Sequence, residues 1–214
     1  MTYIISKLKL QSTHQLVDWL SIGAHHKSLS WQRRATRLKF IFRWAPTNSR
    51  LHAIGQKESP TCLLCNEFDE TIDHVMCYNA AKAKQNRKQA LDKLEKSLVS
   101  RKTHPVLTTM FTLAVQDNIE TVRVLETENE YGIRELTHTQ GQIGWHLVKY
   151  GILSVHWRRV QQQYMKSKVP NLKDTACEKW IRNVQSDLWD YVHTIWEHRN
   201  KRVHGRDKEE AKAK

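Results

Sequence analysis

The segment SPTCLLCNEFDETIDHVMCYN sets Cys62 and Cys65 as a CxxC pair, with His74 after eight intervening residues and Cys77 after two more. Thiolate sulfur and imidazole nitrogen are donors that suit zinc, at bonds of roughly 2.0 to 2.3 Å in a tetrahedron, and a CxxC turn can present two sulfurs to one ion. If a helix starts near Thr71, His74 and Cys77 lie three apart and face one side. Asn66, directly after the pair, tolerates the left-handed backbone that such tight turns demand. Four protein ligands leave no coordination position for water, so the implied Zn2+ is structural rather than catalytic. The competing reading makes His74 an ordinary surface histidine and the cysteines small buried apolar groups. Four ligands of the right types within sixteen residues favour the metal.

The elements that must hold this segment are helical. The 214 residues include only seven Gly and four Pro, and the stretches between them are rich in Lys, Gln, Leu, Ala and Glu, which are good helix formers. The apolar share of 39% and mean hydropathy of -0.67 are low, yet eight Trp, six Tyr and four Phe can close a core. The expected class is all-α: a helical bundle with long helices and one inserted zinc knuckle. It divides in series into an N-terminal segment 1–29, a basic helix with the zinc region and the following helix over 30–103, a helical domain over 104–205, and a disordered tail over 206–214.

Periodicity places these helices. From Ser30 to Trp44 a basic amphipathic helix stripes Trp31, Ala35, Leu38 and Phe42 together and stops at Pro46. Thr47 or Asn48 can cap a short helix through His52, with Gly55 at its exit. After Cys77 a polar helix carries a narrow stripe of Ala83, Ala90, Leu94 and Leu98, and Pro105 opens an apolar segment running to Ile119. The acidic stretch from Asp117 to Glu135, which includes Glu126, Glu128 and Gly132, reads as a linker or exposed loop. A long helix is expected from about Gln142 to Lys166. The last helix starts at a capping box of Thr175 and Glu178. It continues through Trp180, Val184, Leu188, Val192 and Ile195 at near-fourfold spacing and ends at Gly205.

Charge points to the partner. The net charge is +13 and the pI near 9.7, a field that attracts polyanions. From Trp19 to Lys57 there are eight Lys and Arg and no acid, and a second acid-free run covers Leu136 to Lys173. The expected phosphate-binding residues are Arg33, Arg34, Arg37, Lys39 and Arg43, acting on RNA or DNA. No apolar run is long enough for a membrane span, and MTYIISKLKLQSTHQ lacks the apolar centre and cleavage site of a signal peptide. The protein is therefore expected inside the cell, in nucleus or cytoplasm, where reduced cysteines serve metals rather than disulfides.

The run KFIFRWAPTNSRLHAIGQKESPTCLLCNEFDETIDHVMC resembles the zinc-binding region that follows the reverse transcriptase and RNase H parts of non-long-terminal-repeat retrotransposon polyproteins. Its apolar-basic lead with Trp and Pro, its Arg-x-His step and its CCHC ligands carry the likeness. IGWHLVKYGILSVHWRRVQ and LWDYVHTIWEHRNKRVHG are similar to blocks of long members. The chain departs in having fewer residues between His74 and Cys77, and Asn66 where Gly is frequent. The resemblance implies zinc on Cys62, Cys65, His74 and Cys77, a role in holding RNA or DNA, and a separate reverse transcriptase as a partner. No paired-aspartate polymerase motif and no RNase H or endonuclease carboxylate set is present, so no catalysis is expected of this chain.

Other readings compete. Arg199 and His204, in IWEHRNKRVHG, match the Arg-Asn-xxx-His arrangement of metal-independent HEPN ribonucleases, where His supplies acid-base catalysis and Arg stabilises charge. A His in the last helical turn is also favoured by the helix dipole alone. Cys177, in a first helical turn, has no catalytic partner near it in sequence and reads as structural. Trp145, Trp157, Trp189 and Trp196 suit a core better than base stacking. A third possibility is a retroelement remnant whose helices bind only another protein.

Overall fold

The computed structural model describes residues 2–124 and 130–205. Glu126, Glu128 and the expected disordered tail lie outside them. The described α-helices are α1 (Thr2–Lys7), α2 (Trp19–Ser28), α3 (Trp31–Ile41), α4 (Asn48–Ala53), α5 (Ile72–Cys77), α6 (Ala81–Ser100), α7 (Pro105–Val115), α8 (Ile119–Val124), α9 (Ile133–Ile143), α10 (Val155–Lys168) and α11 (Asp174–His204). Three 3-10 turns join them at His14–Leu16, Glu130–Gly132 and Trp145–Tyr150. Among the described residues there is no sheet, only the isolated bridges Val17–Ser154 and Thr61–Asp69. The fold is all-α. No described helix is long and apolar enough to cross a membrane.

The chain forms two compact units, each assembled from two stretches rather than in series. Among the described residues, the first comprises residues 2–31, 93–124 and 130–189, and the second residues 32–92 and 190–205. In the first, Phe111 stacks on Trp157 with ring centroids 3.9 Å apart, and Trp145 meets Trp157 edge-on at 6.2 Å. Trp145, Trp157 and Trp189 are buried there, as is Trp196 in the second unit. All four are core residues, closed to base stacking. Cys177 is also buried, its Sγ 3.3 Å from the Arg158 carbonyl, and burial pushes its thiol up to about 12. It is inert at neutral pH.

Three helical expectations need correction. The helix expected from Gln142 to Lys166 is broken into α9, a 3-10 turn and α10, because Gly144 and Gly151 take positive φ of 114° and 75°. A φ of 114° is one that residues with a Cβ rarely adopt, so the break favours glycine at position 144. The Thr175 capping box is not used: α11 already begins at Asp174, whose carboxylate accepts from Gln162 and pairs with Lys166 at 2.9 Å. On α3 the buried side chains are Arg37, Phe40 and Ile41, while Trp31 is 70% exposed. Phe40 turns inward to meet Trp196 edge-on at 5.2 Å. Elsewhere the expected stripes are buried: Ala83, Ala90, Leu94 and Leu98 on α6, and Trp180, Val184, Leu188, Val192 and Ile195 on α11.

The first unit is organised around a polar hub. Gln140 is fully buried; its Oε1 accepts from the Ser154 N–H and from Trp157 Nε1, both at 2.9 Å. Its Nε2 donates to the Gly144 and Ile152 carbonyls at 3.2 and 3.3 Å. One side chain thus satisfies backbone groups on both sides of the broken turn. Gln140→Leu leaves the Trp157 and Ser154 donors buried and unpaired, at about 1–3 kcal/mol each. Urea unfolding should show a loss of about 3 kcal/mol, whereas a loss under about 1 kcal/mol would mean that Gln140 is not the hub.

Candidate metal centre

The Cys62–Glu70 loop forms because its backbone closes on itself. The Cys62 N–H donates to the Phe68 carbonyl and the Asn66 N–H to the Cys62 carbonyl, both at 2.8 Å, and the Glu70 N–H donates to the Pro60 carbonyl at 2.9 Å. Asn66 takes φ 57°, the left-handed turn that a residue of its type tolerates. Thr71 then caps α5, accepting from the His74 N–H at 3.1 Å. The result turns the CxxC pair toward the first turn of α5.

The ligand atoms of Cys62, Cys65 and His74 all lie within 4.8 Å of one another. Cys65 Sγ is 3.5 Å from His74 Nε2. A tetrahedral zinc with bonds of about 2.3 Å to sulfur and about 2.0 Å to nitrogen puts those two atoms about 3.5 Å apart. The three residues therefore fit one ion. Their local electrostatics differ. At Cys62 burial dominates and pushes the thiol up, against N–H bonds from Leu64 and Cys65. At Cys65 burial is outweighed by the N–H groups of Glu67 and Phe68, which hold the thiol below its usual value. Backbone N–H groups thus aim at both sulfurs, as a thiolate pair requires.

Cys77, the fourth expected ligand, is not in this cluster. It ends α5, is exposed, and its Sγ lies 3.8 Å from the His74 carbonyl.

The loop is fixed to the second unit by Glu70, a residue the sequence reading overlooked. Glu70 is fully buried. Its Oε2 accepts from the Asn48 N–H at 2.8 Å at the start of α4, and its Oε1 accepts from Arg199 Nε at 2.9 Å, with a second bond from Arg199 Nη2 to Oε2. The Glu70 carbonyl also accepts from the Ser49 N–H, and Asn48 Nδ2 donates to the Thr61 carbonyl at 2.7 Å. Arg199 is itself buried, 5.0 Å over the Trp196 ring. Its remaining nitrogen, Nη1, donates to Asn200 Oδ1 at 3.0 Å and lies 3.3 Å from His204 Nε2. Arg199 and His204 do meet, but the guanidinium is bound in two places to a buried carboxylate.

The expected phosphate-binding residues separate. Arg33 and Lys39 are exposed on α3 and Arg34 is half-buried. Arg43 is half-exposed and paired with Asp73. Arg37 must be removed from the set. It is 1% exposed, on the inward edge of α3 with Phe40 and Ile41, and burial brings its guanidinium down to about 10.

Glu70→Gln should strand a buried guanidinium, and breaking a buried pair from one side costs about 3–5 kcal/mol. Denaturant unfolding should show a loss of that size, with Glu70→Gln/Arg199→Met recovering at least half of it. Equal losses in the single and double variants would mean that the ion pair is not the anchor. Compared with known proteins, the chain matches no family model, no curated protein and no solved structure.

Proposed function

We propose that this protein is a zinc-stabilised nucleic-acid-binding module that grips phosphates and carries out no catalysis. The observation that carries the reading is the convergence of Cys62, Cys65 and His74 at zinc-like spacing. The zinc is held by these three and by Cys77. Cys77 lies one turn from His74 on the same side of α5, and rotation about χ1 to another staggered position swings its sulfur away from the His74 carbonyl. With four protein ligands the metal supplies folding energy rather than a reactive water.

The nucleic-acid part rests on charge. The net charge of +13 and the exposed Arg33 and Lys39 on α3, with Arg34 and Arg43 beside them in sequence, favour a phosphate-binding surface. This agrees with the retroelement zinc region that the sequence resembles, including a separate reverse transcriptase as partner. The ribonuclease reading is disfavoured because Arg199, its charge stabiliser, is neutralised by Glu70.

Purified protein should contain close to one zinc, and Cys65→Ser should lose it together with the protection of the segment from about Pro60 to Asn79. Unchanged metal content in that variant would refute the site. Affinity for single-stranded and duplex RNA and DNA should fall steeply with salt, and Arg33→Ala/Arg34→Ala should weaken all sequences about equally and flatten the salt slope. A loss confined to one sequence would indicate base readout instead. RNA incubated with the protein should stay intact; cleavage abolished by His204→Ala would replace the binding module with an enzyme.

A further inference from the structure

The second unit gathers cations at a place that the run of basic residues near α3 does not include. Tyr78, immediately after α5, is the junction. Its ring lies 5.6 Å from that of His74, and its hydroxyl donates to the Leu64 carbonyl within the CxxC loop. Its own carbonyl accepts from Arg87 Nη1 on α6. A void of about 10 Å3 beside it is lined by Cys62, His74, Tyr78, Asn86, His198 and Arg199, so α6 and the end of α11 both face the metal loop. Lys201 and Arg202 lie three and four residues beyond His198, on its side of α11, and both are exposed. Burial, and then the charges of Arg202 and Lys201, hold the His198 imidazole below its usual range.

We propose that Arg87, bonded at Tyr78, and Lys201 and Arg202, which follow His198 on α11, form a phosphate-binding surface for a nucleic-acid backbone whose geometry is set by the metal loop. The inference rests on the nucleic-acid reading above and deepens it by naming a site. Three features support it. The cations come from α6 and α11, which are far apart in sequence, yet Arg87 bonds the Tyr78 carbonyl and His198, one turn before Lys201 and Arg202, lines the void beside Tyr78. Arg87 is tethered to the Tyr78 carbonyl, so part of its entropy loss is paid before a phosphate arrives. Lys201 and Arg202 are adjacent and exposed in the last turn of α11, so both side chains can reach a phosphate run outside the loop. Tyr78, bonded to both Leu64 and Arg87, ties this surface directly to the metal loop.

The test uses fluorescence anisotropy of the full zinc-loaded chain with a labelled single-stranded RNA across a salt series. Lys201→Gln/Arg202→Gln should lower affinity about tenfold and reduce the log–log salt slope by about 1.4, the value for two lost single-strand phosphate contacts. Lys201→Arg/Arg202→Lys should retain binding, which separates charge from fold. Chelation should weaken the wild-type protein several-fold more than the Lys201→Gln/Arg202→Gln variant, the mark of coupling between metal and cations. Wild-type binding with an unchanged slope in the Gln variant, alongside loss in Arg33→Ala/Arg34→Ala, would overturn this inference while leaving the proposed function intact. Absence of salt-dependent binding by the wild-type protein would overturn both. Equal competition by polyglutamate and RNA would show a general polyanion surface and also refute it.

Discussion

The second unit depends on one buried carboxylate. Glu70 lies between two ligands of the candidate metal, and its two oxygens take bonds from the start of α4 and from Arg199 of α11. A carboxylate in such a place is costly unless fully satisfied, and here three donors satisfy it. The consequence is a mutual dependence. The loop must close for Glu70 to reach Arg199, and Arg199 must be present for Glu70 to be tolerated. The arrangement specifies one position for the CxxC loop even if the ion pair adds little net stability over an apolar replacement.

That dependence also assigns Arg199. In sequence it matches the cation of an Arg-Asn-xxx-His arrangement, near the C-terminal end of the last helix. Burial over Trp196 and bidentate pairing with Glu70 place it in the core of the second unit, with Nη1 3.3 Å from His204 Nε2.

Much of this was legible beforehand because it rests on local rules. The 3.6-residue period located the buried stripes of α6 and α11, Thr47 and Thr71 cap the helices that follow them, and Asn66 adopts the left-handed turn. What was missed is non-local. Glu70 looked like one more acid in NEFDET, and its partner lies 129 residues away. Arg37 read as a surface cation because α3 is basic all round, and only the tertiary pairing of Phe40 with Trp196 decides which edge turns inward. The break at Gly144 was readable in principle, since two glycines seven residues apart interrupt the pattern, but helical periodicity on both sides masked it. Cys62, Cys65 and His74 lie close enough together that they could hold a metal ion, while the Sγ of Cys77 lies by the His74 carbonyl, a side-chain orientation that spacing does not specify.

Amide hydrogen exchange with and without chelator measures the central claim that the metal loop holds Glu70 in place. The Asn48 and Ser49 amides, which donate to Glu70, should lose protection on chelation. The Ser154 amide, which donates to Gln140 in the other unit, should keep its own. Protection at Asn48 and Ser49 that survives complete removal of metal would contradict the account.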